Sequence, residues 1–271
     1  MASGDIENIS AENIFYVTPS QYFYNILTMH KSTIDKKSKV IICSKGIDIN
    51  TGFLMSNIYT QVLKNNNYCI LSGPSFASEV ANGLPAALVL ASPNMKEAIK
   101  TANFISSRNF RIYPSDDVIG VQLGGAIKNI YAIGAGIVKG INYGENARSA
   151  FLTRSIAEMA KICISMGGKK ESIFGLSGVG DVLLTCNSEV SRNFLLGTKI
   201  GKGELIDTIL SKNITVAEGY YTSRALFSIL KNKKIDTPIM TGVYNILYNE
   251  LSVKSAVDTL LDRPIKIGEF N

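Results

Sequence analysis

The segment GVQLGGAIKNIYAIGAGIV (residues 120–138) decides how the rest of the chain is arranged. Its apolar residues recur with helical period, and with residues 118–119 it is nearly long enough to span a membrane. However, Gln122, Lys128 and Asn129 interrupt it, and no positively charged flank anchors it. The pattern therefore predicts a buried central helix of a globular protein.

Lys128 is the unusual residue of this helix. Burial on an apolar face favours the neutral amine, which lowers the pKa of a lysine and makes it a competent general base near pH 7. The alternative is structural, because a lysine stem can pack on apolar residues while its ammonium group reaches water. Composition alone favours this second interpretation.

The bulk composition restricts the function classes. The chain has 271 residues, 46% hydrophobic and 18% charged, which is typical of a globular protein. Its net charge of +6 would suit nucleic acid, a membrane surface or an anionic small molecule. The basic residues are scattered and not interleaved with aromatic ones, so no nucleic acid partner is expected. No Cys, His or Asp cluster has metal-ligand spacing, so no metal is expected either.

The four cysteines and the N-terminus bear on the compartment. The cysteines are far apart and show no C-x-x-C spacing, which favours reduced, buried thiols. The N-terminal residues have neither the basic nor the apolar region of a secretory signal. We therefore expect a cytoplasmic protein without membrane insertion.

The order of elements predicts two different halves. Short apolar runs at residues 14–17, 39–43, 68–71, 86–91 and 110–113 alternate with helical stretches, whereas everything after residue 115 has helical period. The fold class is therefore α/β plus all-α. A partial Rossmann-type, largely parallel sheet is expected in residues 1–114, and an all-helical substrate and catalytic domain in residues 115–271.

Polar residues in both halves are candidates for ligand binding. Asp181 and Thr185 are one helical turn apart and share a face. Ser191 fits a helix N-cap, and the following Arg192 and Asn193 could hold a phosphate through charged and backbone donors. The glycines of GLSGVGD (residues 175–181) favour a tight turn over a phosphate cradle.

Lys45 follows a predicted strand, as does the Gly-Pro turn of LSGPSFASEVANG (residues 71–83). Ligands of open α/β sheets bind at such strand ends. If Lys45 and Asp181 both approach Lys128, the cation would lower the pKa of Lys128 and the carboxylate would raise it. The sequence does not decide which effect is larger.

Several long motifs occur in the order known from one family. They are VTPSQ (17–21), SKGID (44–48), LSGPSFASEVANGLP (71–85), SDDVIGVQLGGAIKNIYAIGAGI (115–137), GENARSAFLTRSIAEM (144–159), GLSGVGDVLLTCNSEVSRN (175–193), VAEG (216–219) and RPIKIGE (263–269). In these motifs the chain resembles the bacterial NAD(P)-dependent glycerol-3-phosphate dehydrogenases. The resemblance runs from about residue 15 to the C-terminus, and it favours the catalytic interpretation of Lys128.

The resemblance implies an activity and a set of roles. The activity is the interconversion of dihydroxyacetone phosphate and sn-glycerol 3-phosphate with NAD or NADP, which supplies the phospholipid backbone. Lys128 would be the general base on the C2 hydroxyl. The residues implied around the substrate are Lys45, Gly73, Ser75, Lys128, Asn129, Asp181, Thr185, Ser191, Arg192 and Asn193. Those implied at the cofactor are Lys45, Ala77, Arg192, Val216 and Glu218. A cytoplasmic homodimer is the family expectation.

The chain departs from the family at its start. No G-x-G-x-x-G motif precedes Ile14, and the first predicted strand corresponds to about the family's fourth. We therefore expect either a shortened gene product with impaired function or a missing part upstream, and an exposed strand edge in the remaining sheet. Sequence cannot choose NAD from NADP, because the discriminating segment is the missing one.

Two alternatives remain open. The β-hydroxyacid dehydrogenases also carry a catalytic lysine on this helix, in a pattern like G-x-x-x-K-x-x-x-N. Gly124 and Lys128 fit that pattern, but Ala132 stands where the asparagine belongs. The second alternative is not an enzyme: a degenerate, cofactor-deficient remnant that acts as an interaction or dimerisation module.

Overall fold

The computed structural model describes residues 11–65, 67–212 and 217–265. Its first part is a sheet of five strands: β1 (Asn13–Tyr16), β2 (Lys39–Ile42), β3 (Tyr68–Ser72), β4 (Ala86–Ala91) and β5 (Phe110–Ser115). The helices α1 (Phe23–Met29), α2 (Met55–Leu63), α3 (Ala77–Ala81) and α4 (Met95–Ile105) connect them. We call residues 11–115 the sheet unit.

The strands lie side by side in chain order. β1, β2 and β3 are parallel, β4 runs antiparallel to β3, and β5 is parallel to β4. β2 and β3 are buried along their whole length, as expected for strands covered on both faces. The carboxyl ends of β1, β2 and β3 therefore meet at one edge of the sheet, next to the helices that follow.

Those helices form the second part, which we call the helical unit (residues 117–265). They are α5 (Val118–Gly140), α6 (Gly144–Ser165), α7 (Lys170–Phe174), α8 (Asp181–Cys186), α9 (Arg192–Gly201), α10 (Ile206–Lys212), α11 (Glu218–Lys233), α12 (Pro238–Tyr248) and α13 (Val253–Leu261). A π-helical turn, Leu176–Gly180, leads directly into α8.

α5 is the central helix of the main hydrophobic core. Asp117 caps its N-terminus by accepting the backbone N–H of Gly120 at 2.9 Å. By length and composition this helix could cross a membrane, but 89% of its most apolar window is buried inside the protein. It is therefore a core helix, as the interrupted sequence pattern predicts.

Glycines allow α5 and α9 to touch along their backbones. A Cβ atom on Gly136 would lie 2.1 Å from the carbonyl oxygen of Phe194, and one on Gly197 would lie 1.9 Å from that of Ile133. One turn further, Gly140 and Gly201 face each other in the same way. Because side chains do not separate these helices, the N-terminus of α9 is held against the middle of α5.

The fold class predicted from the sequence is confirmed, with local differences. Residues 176–181 of GLSGVGD are helical and continue into α8, whereas the glycines predict a tight turn. A Cβ atom on Gly178 would lie 2.0 Å from the carbonyl oxygen of Ile173, so close backbone packing explains this glycine. The helices α7 and α10 are too short to give a clear period in the sequence.

A buried carboxylate, Glu158, fastens α6 to two other helices. It accepts hydrogen bonds from the Tyr131 hydroxyl at 2.8 Å, from Met240 N at 2.8 Å and from Ile239 N at 3.1 Å. Ile239 N and Met240 N lie in the first turn of α12, where backbone N–H groups have no partner within the helix. Burial raises the pKa of Glu158 from 4.5 to about 7, although these hydrogen bonds oppose the rise.

We expect the Glu158 carboxyl to make folding less favourable at high pH. Its pKa is raised in the folded state, so its stabilising contribution is present below pH 4.5 and is lost as the pH rises through about 7. The loss corresponds to about 3 kcal/mol of unfolding free energy. Urea unfolding at pH 5 and pH 8 should show a smaller pH dependence for Glu158→Gln than for wild type. Equal dependence, or an equal change in the exposed control Glu189→Gln, would contradict this.

Candidate active site

Lys128 lies in the middle of α5 with its side chain buried. It forms an ion pair with the carboxylate of Asp181 and donates a hydrogen bond to Thr185 Oγ1 at 2.7 Å. Thr185 in turn donates to Asp181 at 3.2 Å, so α8 presents both partners on one face, as their spacing predicts. Lys128 is only 7% exposed, which excludes the interpretation as a lysine whose ammonium group reaches water.

Asp181 also binds a second lysine. Lys45, in the loop after β2, donates to the other carboxylate oxygen at 2.7 Å and to the carbonyl oxygen of Gly73 at 3.1 Å. The side chain of Lys45 is 24% exposed, whereas that of Asp181 is 1% exposed. One buried carboxylate therefore joins a base on α5 to a partly open cation at the end of the sheet.

The pKa values of this cluster follow from burial and charge. Burial lowers the pKa of Lys128, the charge of Lys45 lowers it further, and Asp181 opposes both, with a net result of about 8. Burial alone would raise the pKa of Asp181, but the two lysines outweigh it and the pKa is lowered. Burial is the largest of these influences on Lys128, and the net direction is the one that burial and Lys45 share. At pH 7 roughly a tenth of Lys128 is neutral, so the amine is mostly protonated there and gains its basic form just above neutrality.

A chain of amides lies beside Lys128. Asn193 on α9 donates through Nδ2 to Asn129 Oδ1 at 3.0 Å and accepts the backbone N–H of Gly219 at 2.9 Å. All three residues are buried. The predicted substrate residues Asn129 and Asn193 are therefore in direct contact, and α11 begins against them.

Residues 191–193, which we call the phosphate segment, have the local structure that their sequence predicts. Ser191 is the N-cap of α9 and accepts the backbone N–H of Phe194 at 3.2 Å. Arg192 is the first residue of α9, and its side chain is exposed. A capped helix N-terminus with an exposed arginine suits an anionic group.

The Gly-Pro turn after β3 forms the opposite wall. Gly73 has φ +145°, and a Cβ atom there would lie 2.9 Å from the Cα of Leu88, so only glycine fits. Ser75 donates to the carbonyl oxygen of Gly73 at 3.2 Å, and Ala77 is exposed at the start of α3. These residues share the carboxyl end of the sheet with Lys45.

Two predicted cofactor residues belong to the start of α11. Glu218 is its first residue, and its carboxylate binds Ser20, a residue that the sequence pattern does not mark as functional. The available signal was the position of Ser20 in VTPSQ, directly after β1. Val216 lies outside the described residues.

The residues at the carboxyl ends of β2 and β3 and at the N-terminus of α9 fit a nicotinamide dinucleotide at its reactive end. Lys45 and the exposed Arg192 supply positive charge for a phosphorylated ligand. The hydroxyl of Ser72 is buried beside Lys45 and has no hydrogen-bond partner among the described residues. An α/β sheet whose strand ends face a buried lysine and aspartate on a helical unit is the arrangement expected of an oxidoreductase of the dehydrogenase class.

Comparisons with known proteins name the family. Residues 4–98 match the model of the NAD-dependent glycerol-3-phosphate dehydrogenase N-terminus, and residues 117–258 match that of its C-terminus. The chain is therefore a member of the NAD-dependent glycerol-3-phosphate dehydrogenase family.

Individual relatives agree with the family models. A glycerol-3-phosphate dehydrogenase (NAD(P)+) of Rhodospirillum rubrum is 39% identical over 95% of this chain and 74% of its own length. That of Mesorhizobium japonicum is 40% identical over 94% and 73%. The crystal structure of the Coxiella burnetii glycerol-3-phosphate dehydrogenase superposes with a TM-score of 0.89 at 35% identity, covering 93% of this chain and 78% of that one. These matches confirm the resemblance and favour the dehydrogenase over the interaction module.

Proposed function

We propose that Lys128 is the general acid and base of an NAD(P)-dependent glycerol-3-phosphate dehydrogenase. Family membership makes the chain an oxidoreductase of this type, which interconverts dihydroxyacetone phosphate and sn-glycerol 3-phosphate for phospholipid synthesis. The observation that carries the proposal is the buried ion pair of Lys128 with Asp181, which also holds Lys45. No other arrangement of the described residues combines a lysine of lowered pKa with a phosphate-suited helix terminus.

Lys128 transfers the proton at C2, and its neighbours hold it in position. In the oxidising direction, neutral Lys128 takes the proton of the C2 hydroxyl; in the reducing direction, its ammonium group returns a proton to the ketone oxygen. Asp181 and Thr185 hold the Lys128 amine in place. When bound, NAD(P) supplies the hydride exchange at C2.

Substrate binding is proposed for the residues that surround Lys128. Arg192, Ser191 and Asn193 bind the phosphate at the α9 N-terminus and so place C2 against Lys128. The remaining substrate contacts are Lys45, Gly73, Ser75, Asn129, Asp181 and Thr185. Lys45, Ala77 and Arg192 are the described residues proposed to contact the cofactor; Glu218, which the resemblance also implies there, has both carboxylate oxygens bound by Ser20.

The activity is tested directly on the purified chain. Glycerol 3-phosphate oxidation is followed as NADH or NADPH absorbance, and the reverse reaction with dihydroxyacetone phosphate. Isothermal titration with NADH and NADPH identifies the preferred cofactor. Lack of turnover together with no affinity at millimolar cofactor would overturn the proposed function.

We also propose a division into a dinucleotide-binding domain at residues 1–114 and a helical substrate domain at residues 115–271. The change from strands to helices between β5 and α5 supports this boundary. A cytoplasmic homodimer is proposed from the resemblance, and the free thiols of all four cysteines agree with a reducing compartment. Light scattering after size exclusion measures the oligomeric state, and a monomer at micromolar concentration would contradict the dimer.

The pH dependence of turnover tests the electrostatics. Because the pKa of Lys128 is about 8, kcat for glycerol 3-phosphate oxidation should rise with pH and level off above about 8, while the reduction rate should fall over the same range. Lys45→Met removes a charge that lowers this pKa, so its inflection should move to higher pH. The control is Lys139→Met, which changes an exposed lysine of the same helix. An unmoved or more acidic inflection in Lys45→Met would contradict the assignment.

A further inference from the structure

Ser20 joins the sheet unit to the start of α11. Ser20, in the turn after β1, is completely buried. Its backbone N–H donates to Glu218 Oε1 at 2.9 Å, and its hydroxyl donates to Glu218 Oε2 at 2.5 Å. One residue of the sheet unit thus binds both oxygens of a carboxylate that is 198 positions away in the chain.

The sheet unit holds Ser20 in place for this contact. Gln21 donates through Nε2 to Ser20 Oγ at 3.1 Å and to the carbonyl oxygen of Ile47 at 2.9 Å. In the loop after β2, a Cβ atom on Gly46 would lie 2.2 Å from Ser20 Oγ and 3.2 Å from Glu218 Oε2. Glycine at position 46 therefore leaves the space that the serine and the carboxylate occupy.

Gly219, the next residue of α11, contacts the residues beside Lys128. The N–H of Gly219 donates to Asn193 Oδ1 at 2.9 Å, and Asn193 donates to Asn129 at 3.0 Å. A Cβ atom on Gly219 would lie 2.4 Å from the carbonyl oxygen of Asn129. Adjacent residues of one helix terminus thus hold the sheet unit on one side and the phosphate segment on the other.

The carboxylate of Glu218 is shielded from water and is bound by Ser20 of the sheet unit. Burial raises its pKa, while the Ser20 hydrogen bonds and the nearby charge of Arg192 oppose the rise. Since Ser20 already binds both carboxylate oxygens, a direct contact of Glu218 with the cofactor would have to replace these hydrogen bonds.

We propose that Ser20 and Glu218 form an interdomain clasp that sets the position of Arg192 and Asn193 relative to Lys45. Both are positioning residues: they act on the phosphate of the substrate through Gly219 and Asn193. This inference rests on the proposed function, because its kinetic readout is turnover of the phosphate substrate.

Kinetics of four variants and one control test the clasp. Glu218→Ala should raise KM for glycerol 3-phosphate about tenfold with a smaller effect on kcat, because it removes two hydrogen bonds to a charged group. Glu218→Gln should keep KM close to that of wild type, since its amide can accept the Ser20 N–H and donate to the Ser20 hydroxyl. Ser20→Ala should have a smaller effect, and none when added to Glu218→Ala, because coupled residues are not additive. The control is Glu189→Ala, an exposed carboxylate close to the phosphate segment.

Amide hydrogen exchange of the free protein gives a readout without turnover. Glu218→Ala should speed exchange in segments 17–23 and 217–222, whereas Glu218→Gln and Glu189→Ala should not. If Glu218→Ala does not fold, Ser20→Ala tests the same contact, since it keeps the backbone hydrogen bond.

Three results would overturn the clasp. They are unchanged exchange in both segments, multiplicative effects of Ser20→Ala and Glu218→Ala, and a Glu218→Ala effect confined to affinity for NADH or NADPH. The last would indicate direct cofactor binding. Lack of turnover in wild type with the expected exchange pattern would contradict the proposed function and leave the clasp supported.

Discussion

Lys128→Ala should lower kcat for glycerol 3-phosphate oxidation by about 10³-fold or more, at the upper part of the range that general acid–base groups contribute. The variant removes the only described lysine that is both buried in α5 and paired with Asp181. Water could replace the volume of the side chain but not a base whose pKa is about 8. Steady-state kinetics at pH 7 to 9 measures the loss, and the pH inflection should disappear with it.

Two controls separate chemistry from folding in this experiment. Lys139→Ala removes an exposed lysine at the last turn of α5 and should keep wild-type kinetics. Lys128→Met keeps the length and most of the volume of the side chain, so it should fold normally and be as inactive as the alanine variant. A Lys128→Met protein with kcat within threefold of wild type would refute the assignment.

Arg192→Ala should chiefly raise KM for glycerol 3-phosphate, by about 100-fold, because charge-assisted hydrogen bonds to a phosphate contribute roughly 3 kcal/mol. The side chain is exposed at the first residue of α9, so its removal leaves the core intact. Arg192→Lys keeps the charge but loses the planar pair of donors, and its KM should lie between that of wild type and that of Arg192→Ala.

Arg154→Ala is the matched control for the phosphate site, since this arginine is exposed on the solvent side of α6. Its KM should equal that of wild type at the same ionic strength, which rules out a general effect of net charge. If Arg192→Ala leaves KM unchanged and instead lowers kcat with neutral substrates such as glycerol, the phosphate role is wrong.

The parts of the fold that depend on local pattern were predictable from the chain alone. The long apolar period predicts α5, Ser191 predicts the start of α9, and the apolar runs predict all five strands to within about two residues. The antiparallel direction of β4 was not predictable, because strand direction depends on how each connection crosses the sheet. The short helices α7 and α10 carry too few residues for a period.

For the candidate site, too, some features follow from the local sequence and others depend on the tertiary structure. The sequence by itself determined which residue types stand at which helix positions: a lysine inside an apolar helix, an aspartate and a threonine on one face, and an arginine beside a helix cap. Only the tertiary structure decided that Asp181 binds both Lys128 and Lys45, and that Ser20 meets Glu218. The pKa of Lys128 and the clasp depend on distances between segments far apart in the chain, and burial and charge act through space rather than along the sequence.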